Sequence, residues 1–542
     1  MPPNFMELWR TAQRQFADSS WPAAKQTLAA MLAIKPDEPV VLLHLSYVES
    51  YLGNYRAARQ CALRVHELRP TREDVVMELL SRLRTFNETG AIMEIIEGFP
   101  DLGRIGIRML LTIAAQMSYL NLQERALPYL DEAFKGDPDY PPTLLARAQV
   151  LIYSGRFPEA IADLERCRKR APELPSVYWH LSRVKKSTAE HNHVETLRRL
   201  LRLRGNEPEH DALCGYALHY ELNDIGDYEA AWDALELACR SKRAMVNYST
   251  GATKALVDAL VSMPKLEPAA GNAPASAGTA RIPIFIVGMH RSGTTLLEQL
   301  LDGHDRVKGV GELYDFTSQM RYATDHHCRG VIDATIVERS ATVDFHEVGR
   351  GYLERMEWRL GEEPYFTDKL PSNFLNIDFI CRSLPQARIL HMVRDPVETC
   401  FSNLRELFSD ANPYSYDQLE LAEYHNQYRR LMGHWHERWP GRVLDVDYAE
   451  LTRDPEAVLR RVCAFCELDF QPRMLDLSAR HRGVATASAV QVRQGIVARK
   501  TPKWAPYARH LQPLIDALGQ CGAFVPGEPE PGAESGGNVD GR

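Results

Sequence analysis

The sequence of 542 residues lacks most features that would place it in a membrane or send it out of the cell. No apolar run approaches the ~20 residues that a bilayer-spanning helix needs. The opening residues, MPPNFMELWRTAQRQF, have no basic start followed by a long apolar core, so no signal peptide is expected. The 10 cysteines follow no repeating spacing. Cys463 and Cys466 form a lone CxxC in a helix-like stretch, which reads as packing rather than zinc or redox chemistry. This cysteine usage fits a reducing compartment, and the expected location is cytoplasmic. Positive charge is also not in excess. A net charge of −8 argues against broad nucleic-acid binding and leaves room only for a local basic pocket.

What is present is an ordinary globular composition, 45% hydrophobic and 25% charged. The chain is too long for one core and suits two or three domains. Internal repetition dominates residues 1–250. Pro36 and Pro70 lie 34 residues apart, as do Pro138 and Pro172. Gly53-Asn54-Tyr55-Arg56-Ala57 and Gly155-Arg156-Phe157-Pro158-Glu159-Ala160 stand 102 residues apart, three such periods. Ser19-Ser20-Trp21 and Asn121-Leu122-Gln123 share the register, and Gly226-Asp227-Tyr228 repeats it with a small offset. Small residues, an aromatic at the turn and a closing proline in such a unit make the tetratricopeptide (TPR) pattern. Each unit is a helical hairpin that must stack on its neighbours to bury its apolar face. Residues 80–115 fit worst and predict a degenerate unit. Residues 264–280, rich in Pro, Ala and Gly, read as a flexible linker. The expected boundaries are therefore 1–263 for the repeats, 264–280 for the linker, 281–525 for a second domain and 526–542 for a disordered tail.

The second domain opens on the stretch that organises its chemistry, PIFIVGMHRSGTTLLEQLLDGHDRVKGVGE at 283–312. Ile284-Phe285-Ile286-Val287 suits a strand buried on both faces. A turn from Gly288 to Thr295 follows, and Leu296, Leu297, Leu300 and Leu301 fall at helical spacing. Strand, turn and helix make a phosphate cradle. The first N–H groups of a helix have no intrahelical partner, and the helix dipole adds positive potential there. Arg291 contributes a full charge, and Ser292, Thr294 and Thr295 contribute hydroxyls around Gly293. The spacing of Gly288 and Gly293 nearly matches a nucleotide-triphosphatase loop. Thr294 stands where the lysine belongs, however, and the cation sits earlier, as Arg291, which argues against ordinary ATP or GTP hydrolysis.

Further chemistry-bearing residues stand at the ends of predicted strands. Val307 to Val310 leads into Gly311-Glu312, and a carboxylate there suits a general base for an acceptor hydroxyl. A pair with Arg291, or a helix cap, is the other reading of Glu312. The segment from Tyr365 to Pro371 puts Lys369 where it can stabilise charge on a departing phosphate. A surface pair with Asp368 is its alternative. Arg388 to Val393 ends in Arg394-Asp395-Pro396, with Ser402 in the helix-like run beyond. An arginine fork and a hydroxyl one or two turns into a helix together suit a second phosphate. Val443 to Tyr448 reads as another strand, before a helix over 454–466.

The string RSGTT, followed by Leu-Leu and then by Gly311-Glu312, resembles the 5′-phosphosulfate loop of sulfotransferases. It is most similar to the tyrosylprotein sulfotransferase branch and its bacterial relatives with N-terminal TPR repeats. The resemblance implies an N-terminal all-α TPR solenoid plus a C-terminal α/β P-loop-like domain with a parallel central sheet, the fold of PAPS-dependent sulfotransferases. It implies PAPS as the sulfuryl donor, PAP as its product, and no metal. On this reading Glu312 is the base, Lys369 the catalytic lysine, and Arg291 and the loop N–H groups hold the transition state. Ser488 would lie beside the transferred group. Arg291, Ser292, Gly293, Thr294 and Thr295 would bind the 5′ end of the donor, and Arg394 and Ser402 its 3′-phosphate. In the basic loop from Arg499 to Trp504, Lys503 would sit on phosphate and Trp504 near adenine. In this family a YxxL segment such as Tyr448 to Leu451 is mainly structural.

His290 stands where many relatives have proline, and reads either as a second acid–base group or as a solvated loop histidine. His326-His327-Cys328 reads as a surface loop, because adjacent ligands rarely face one ion. The expected acceptor is a tyrosine of a peptide or protein held by the TPR groove, with a glycan or small-molecule hydroxyl second. The repeats could instead serve for homodimerisation, and neither nucleic acid nor a membrane is an expected partner. Two readings come from other classes: a magnesium-dependent nucleotide kinase or NTPase, and a TPR binding module with an inactive enzyme half. Neither accounts for the second phosphate site.

Overall fold

The computed structural model describes residues 4–99, 101–203, 207–264, 281–477 and 501–519, with single positions at 483, 486, 490, 495 and 496. Ser488, nearly all of the predicted linker and the predicted tail lie outside the described residues. No described helix is long and apolar enough to cross a membrane.

The first half is a run of helical hairpins, beginning with Phe5–Ala17 and Trp21–Ile34, then Pro39–Tyr51 and Tyr55–Glu67. The register comes from one conformation repeated at the turn between paired helices. Ser19 (φ 52°), Gly53 (82°), Asn87 (56°), Asn121 (60°) and Gly155 (76°) are all left-handed, at intervals of 34 residues. Glycine and asparagine tolerate that region at little cost, so they can stand in for one another at the turn. Asn87 therefore supplies a full repeat signal inside the stretch expected to fit worst. The irregularity lies just after it, where the second helix shortens to Thr89–Glu97 and a short 3₁₀ turn, Leu102–Arg104, precedes the next hairpin.

The second half is built on a five-stranded parallel sheet of order β2-β3-β1-β4-β5. Its strands are β1 Ile282–Gly288, β2 Val307–Gly309, β3 Tyr365–Asp368, β4 Arg388–Val393 and β5 Val443–Asp447. The chain steps from β1 to one side of the sheet and then crosses to the other. The carboxyl ends of β1, β3 and β4 thus face a topological switch point, where open α/β sheets hold ligands. Ile284, Phe285, Ile286 and Val287 are wholly buried, as their apolar run requires for a central strand covered on both faces. Cys463 and Cys466 pack in the core beneath one face with Val462 and Met474.

The two halves are not beads on a string. Tyr178, Tyr216, Trp232 and Leu260 from the last repeats share one continuous core with Phe285, Phe316, Phe401 and Trp435 from the sheet domain. Further along the solenoid, the repeated left-handed turns dock one after another. The Gly53 carbonyl accepts from the His327 N–H at 3.0 Å, and the Asn87 carbonyl from Arg355 at 2.8 Å. The Asn121 side chain donates to the carbonyls of Val310 (3.1 Å) and Glu312 (3.0 Å). His326-His327-Cys328 is accordingly no free surface loop. Cys328 is buried, His326 pairs with Asp333 at 2.8 Å, and the His327 ring lies 6.0 Å from that of Tyr55. The segment is an interface to the repeats, and burial pushes the His327 imidazole down to about 4.

Candidate active site

The phosphate loop forms as its residues dictate. The Gly293 φ is 111°, and a β-carbon there would lie 2.4 Å from the Tyr448 ring, so only glycine fits between that ring and the helix Thr294–Leu301. Arg291 itself takes a left-handed φ of 68°, a strained choice for a long side chain that aims its neighbouring amide groups into the loop. Arg291 as a whole is only 8% exposed, and burial lowers its affinity for the proton. The Arg291 Nε donates to Ser402 Oγ at 3.2 Å. Ser292 Oγ is buried and has no hydrogen-bond partner among the described residues.

Residues far apart in sequence converge here. Lys369, just past β3, is fully buried and reaches Glu312 Oε1 at 2.6 Å. Glu312 thus pairs with Lys369 and not with Arg291. Asp368 is not the surface partner of Lys369, since it too is fully buried, takes hydrogen bonds from Tyr352 and Asn373, and is held well above the carboxylate range by burial. Arg394, just past β4, donates to the Arg291 carbonyl at 2.9 Å and pairs with Glu398 at 2.9 Å, with its guanidinium over the Tyr448 ring. Glu398 also accepts from the backbone N–H of Lys503 at 3.0 Å, which brings that segment beside Arg394. Trp504 is half-buried against the central core. The Thr295 hydroxyl lies 3.4 Å from that of Thr486.

His290 is half-buried in the wall of the loop cavity rather than out in solvent. Its Nδ1 lies 3.0 Å from the Tyr414 hydroxyl, and its ring stands edge-on to Phe408. Burial, then the positive charges of Lys369 and Arg291, push it down to about 3, so the imidazole stays neutral.

A loop built from Gly288 to Thr295 at the end of β1, with paired acid and lysine at the ends of β2 and β3, is the arrangement in which residues 283–472 match the family model described as "Sulfotransferase family". Over those residues the C-terminal domain is similar to the sulfotransferase family. Among curated proteins, the chain is 27% identical over 442 residues to an uncharacterized protein of Aquifex aeolicus, covering 74% of this chain and 57% of that one. This chain therefore spans little more than half the length of that relative. It is also 26% identical over 193 residues to a Caenorhabditis briggsae protein named "Putative protein-tyrosine sulfotransferase", covering 35% of this chain and 68% of that protein. Among solved structures, the sulfotransferase domain of the Synechococcus PCC 7002 olefin synthase matches at 20% identity and a TM-score of 0.32, covering 49% of this chain and all of that one. A sulfotransferase from Alicyclobacillus acidocaldarius matches at 19% identity and a TM-score of 0.28, covering 44% of this chain and 94% of that one.

Around the phosphate loop lies a cavity of about 350 Å³, lined by Arg291, Gly293, Thr294, Thr295 and Glu312 on one side. The repeats supply the other side, with Tyr153, Trp179, His180 and Arg183. Several supporting residues carry no local sequence signal. Glu298, buried in the loop helix, accepts from the Gly311 N–H (2.7 Å) and the Thr367 hydroxyl (3.1 Å), and so fixes the turn that presents Glu312. Glu406 joins Arg183 of the repeats (2.5 Å) to Arg291 of the loop (3.9 Å). On the far side of β4, His391, His436 and Asp445 form a cluster whose imidazoles reach Asp445 Oδ1 at 2.7 and 3.0 Å. The carboxylate satisfies both rings by hydrogen bonding.

Proposed function

We propose that the chain transfers a sulfuryl group from PAPS to a hydroxyl, with a tyrosine of a peptide or protein as acceptor and a glycan or small-molecule hydroxyl as the second choice. The observation that carries this reading is the Glu312–Lys369 contact at the mouth of a loop whose Ser292 hydroxyl is buried and unpartnered. The residues present fit a donor with two phosphate ends. Arg291, Ser292 and the amide groups from Gly293 to Thr295 suit the 5′-phosphosulfate, and Arg394 suits the 3′-phosphate, with Ser402 joined to the site through Arg291.

PAPS, when bound, supplies sulfur already activated as a mixed anhydride with phosphate. Glu312 accepts the proton of the acceptor hydroxyl as its oxygen bonds to sulfur, and the bond from sulfur to the 5′-phosphate oxygen breaks. Lys369 and Arg291 hold the negative charge that builds on the departing PAP. The short Glu312–Lys369 contact holds the base and the charge-stabilising lysine side by side at the same end of the loop, which lowers the entropic cost of alignment. His290, neutral and packed, shapes the pocket without exchanging protons.

Calorimetry without magnesium tests the donor. PAP is expected to bind more tightly than ATP or ADP, and Arg394→Ala to remove most of that preference. A chain that ignores PAP and binds magnesium-ATP is a nucleotide-binding protein of another class.

A further inference from the structure

The catalytic glutamate faces two cavities. Beyond the one that holds the phosphate loop lies another of about 400 Å³, and the two share Gln149, Tyr153, Glu312 and Tyr314 in their walls. The second belongs almost wholly to the repeats. Leu111, Ala114 and Ala115 come from the helix Ile107–Tyr119, Leu130 from the helix Gln123–Gly136, and Ala146 and Val150 from the helix Pro141–Tyr153. The three alanines leave room at the centre of the wall. Tyr119 and Tyr314 add a flat aromatic edge, their rings 6.1 Å apart and 8° from parallel.

The charge of the two cavities differs sharply. The walls around the loop include His180, Arg183, His290 and Arg291. Among the described residues of the second cavity there is no lysine, arginine or histidine, and Glu312 is the only charged group. Arg84 lies over the Tyr119 ring at 5.6 Å but is not part of that wall. An acidic group entering this space would lose water, find no cation in the described wall, and stand near the Glu312 carboxylate, whose charge is already engaged by Lys369 from the loop side. Each of those terms opposes it. Burial, then the Glu312 charge, pushes the Tyr314 phenol up to about 12, and the Tyr153 phenol likewise to about 12.

We infer that this second cavity is the acceptor site and that it selects an uncharged hydroxyl compound with an apolar or aromatic body, not an acidic one. The hydroxyl end reaches Glu312 between Tyr153 and Tyr314, and the body lies against Ala114, Ala115 and Ala146. Its role as acceptor site rests on the sulfotransfer reading above; its selectivity as a binding site does not. A tyrosine would therefore be taken from a neutral, apolar segment.

The test uses the full chain and two phenols of matched size, 4-propylphenol and the anion 3-(4-hydroxyphenyl)propionate. Calorimetry with and without PAP should show the neutral phenol binding at least about tenfold more tightly. Ala146→Phe should weaken that binding severalfold and leave PAP affinity unchanged. Gln149→Arg should narrow or reverse the preference. In turnover with PAPS, tyrosine peptides with apolar flanks should outrun acidic ones. Equal or tighter binding of the anion, or Ala146→Phe without effect, overturns the inference. Selective binding of the neutral phenol by a chain that ignores PAP upholds the cavity's selectivity and overturns the sulfotransfer reading instead.

Discussion

The two sides of Glu312 are assembled by different means. The loop side is made of strand ends: Arg291 after β1, Lys369 after β3 and Arg394 after β4, each placed by a short apolar run that the parallel sheet buries. The opposite side is made of helix faces from the repeats, held against the sheet domain by Asn121, Arg183 and the left-handed turns. Strand ends in a parallel sheet are rigid and recur at one edge, so charged groups can be fixed there against a phosphate. Stacked helical hairpins can change their facing side chains without moving that chemistry. Donor handling should therefore depend mainly on the sheet domain, with Arg183 reaching the loop through Glu406, while acceptor handling and the alignment of Glu312 should depend on both halves.

The largest effects should come from the pair that the two sides share. Glu312→Gln and Lys369→Met are each expected to lower kcat by about 10²–10⁴-fold. Glu312→Gln should leave PAP affinity nearly intact in calorimetry, since the proposed base is not among the groups assigned to the donor. Gly293→Ala tests the loop side by itself. The new methyl would meet the Tyr448 ring at 2.4 Å, and PAP binding should be lost while the repeats keep their helical signal in circular dichroism. Retention of full PAP affinity by this variant would contradict a donor site built on the loop.

Arg183→Ala sharpens the comparison, because its partner lies across the divide. Arg183 and Glu406 are both largely buried, with side chains 14% and 5% exposed. Removing Arg183 leaves Glu406 only its longer contact to Arg291, at 3.9 Å, and loss of one partner of a buried pair costs up to about 3–5 kcal/mol. Thermal unfolding should report that loss, and Arg183→Ala with Glu406→Gln should recover part of it. A smaller effect is expected for Asn121→Gly, which keeps the left-handed turn but removes the side chain that holds the Glu312 carbonyl. We expect kcat to fall about tenfold with PAP affinity unchanged. A fall in PAP affinity instead would place Asn121 on the donor side and break the division drawn above.

This division also marks what the sequence disclosed. The phosphate loop, Lys369 and Arg394 were legible because each follows a local apolar run within a few residues. The solenoid was legible because its turns repeat at a fixed interval. Asn87 escaped because the second helix that follows it is short and a 3₁₀ turn interrupts the spacing before the next hairpin. Contacts that cross the molecule left no local trace. Asn121 and Glu312 are separated by 191 residues, and Arg183 and Glu406 by 223. Glu298 looked like one more polar residue of an amphipathic helix, and only the packing of β2 against β3 turns it inward. The charge character of the second cavity belongs to three helices at once, and no single segment carries it.

The smallest effect concerns pH and bears on both sides together. Burial pushes His290 and His425 down to about 3, and His180 and His327 to about 4. In the unfolded chain each of these takes a proton near pH 6.5, while the folded chain refuses it until far lower pH. Between about pH 6.5 and 4 the unfolded state therefore binds more protons, and stability must fall as the pH drops through that window. Unfolding temperature should decline accordingly, and His425→Asn, away from the loop, should flatten the decline slightly. His290 gives the sharper reading. Because it stays neutral beside Lys369 and Arg291, His290→Gln should leave the shape of the kcat–pH profile unchanged between pH 5.5 and 8, even if the rate shifts modestly. Loss of a limb near pH 6.5 in that variant would make His290 a proton carrier and move acid–base chemistry from Glu312 into the loop itself.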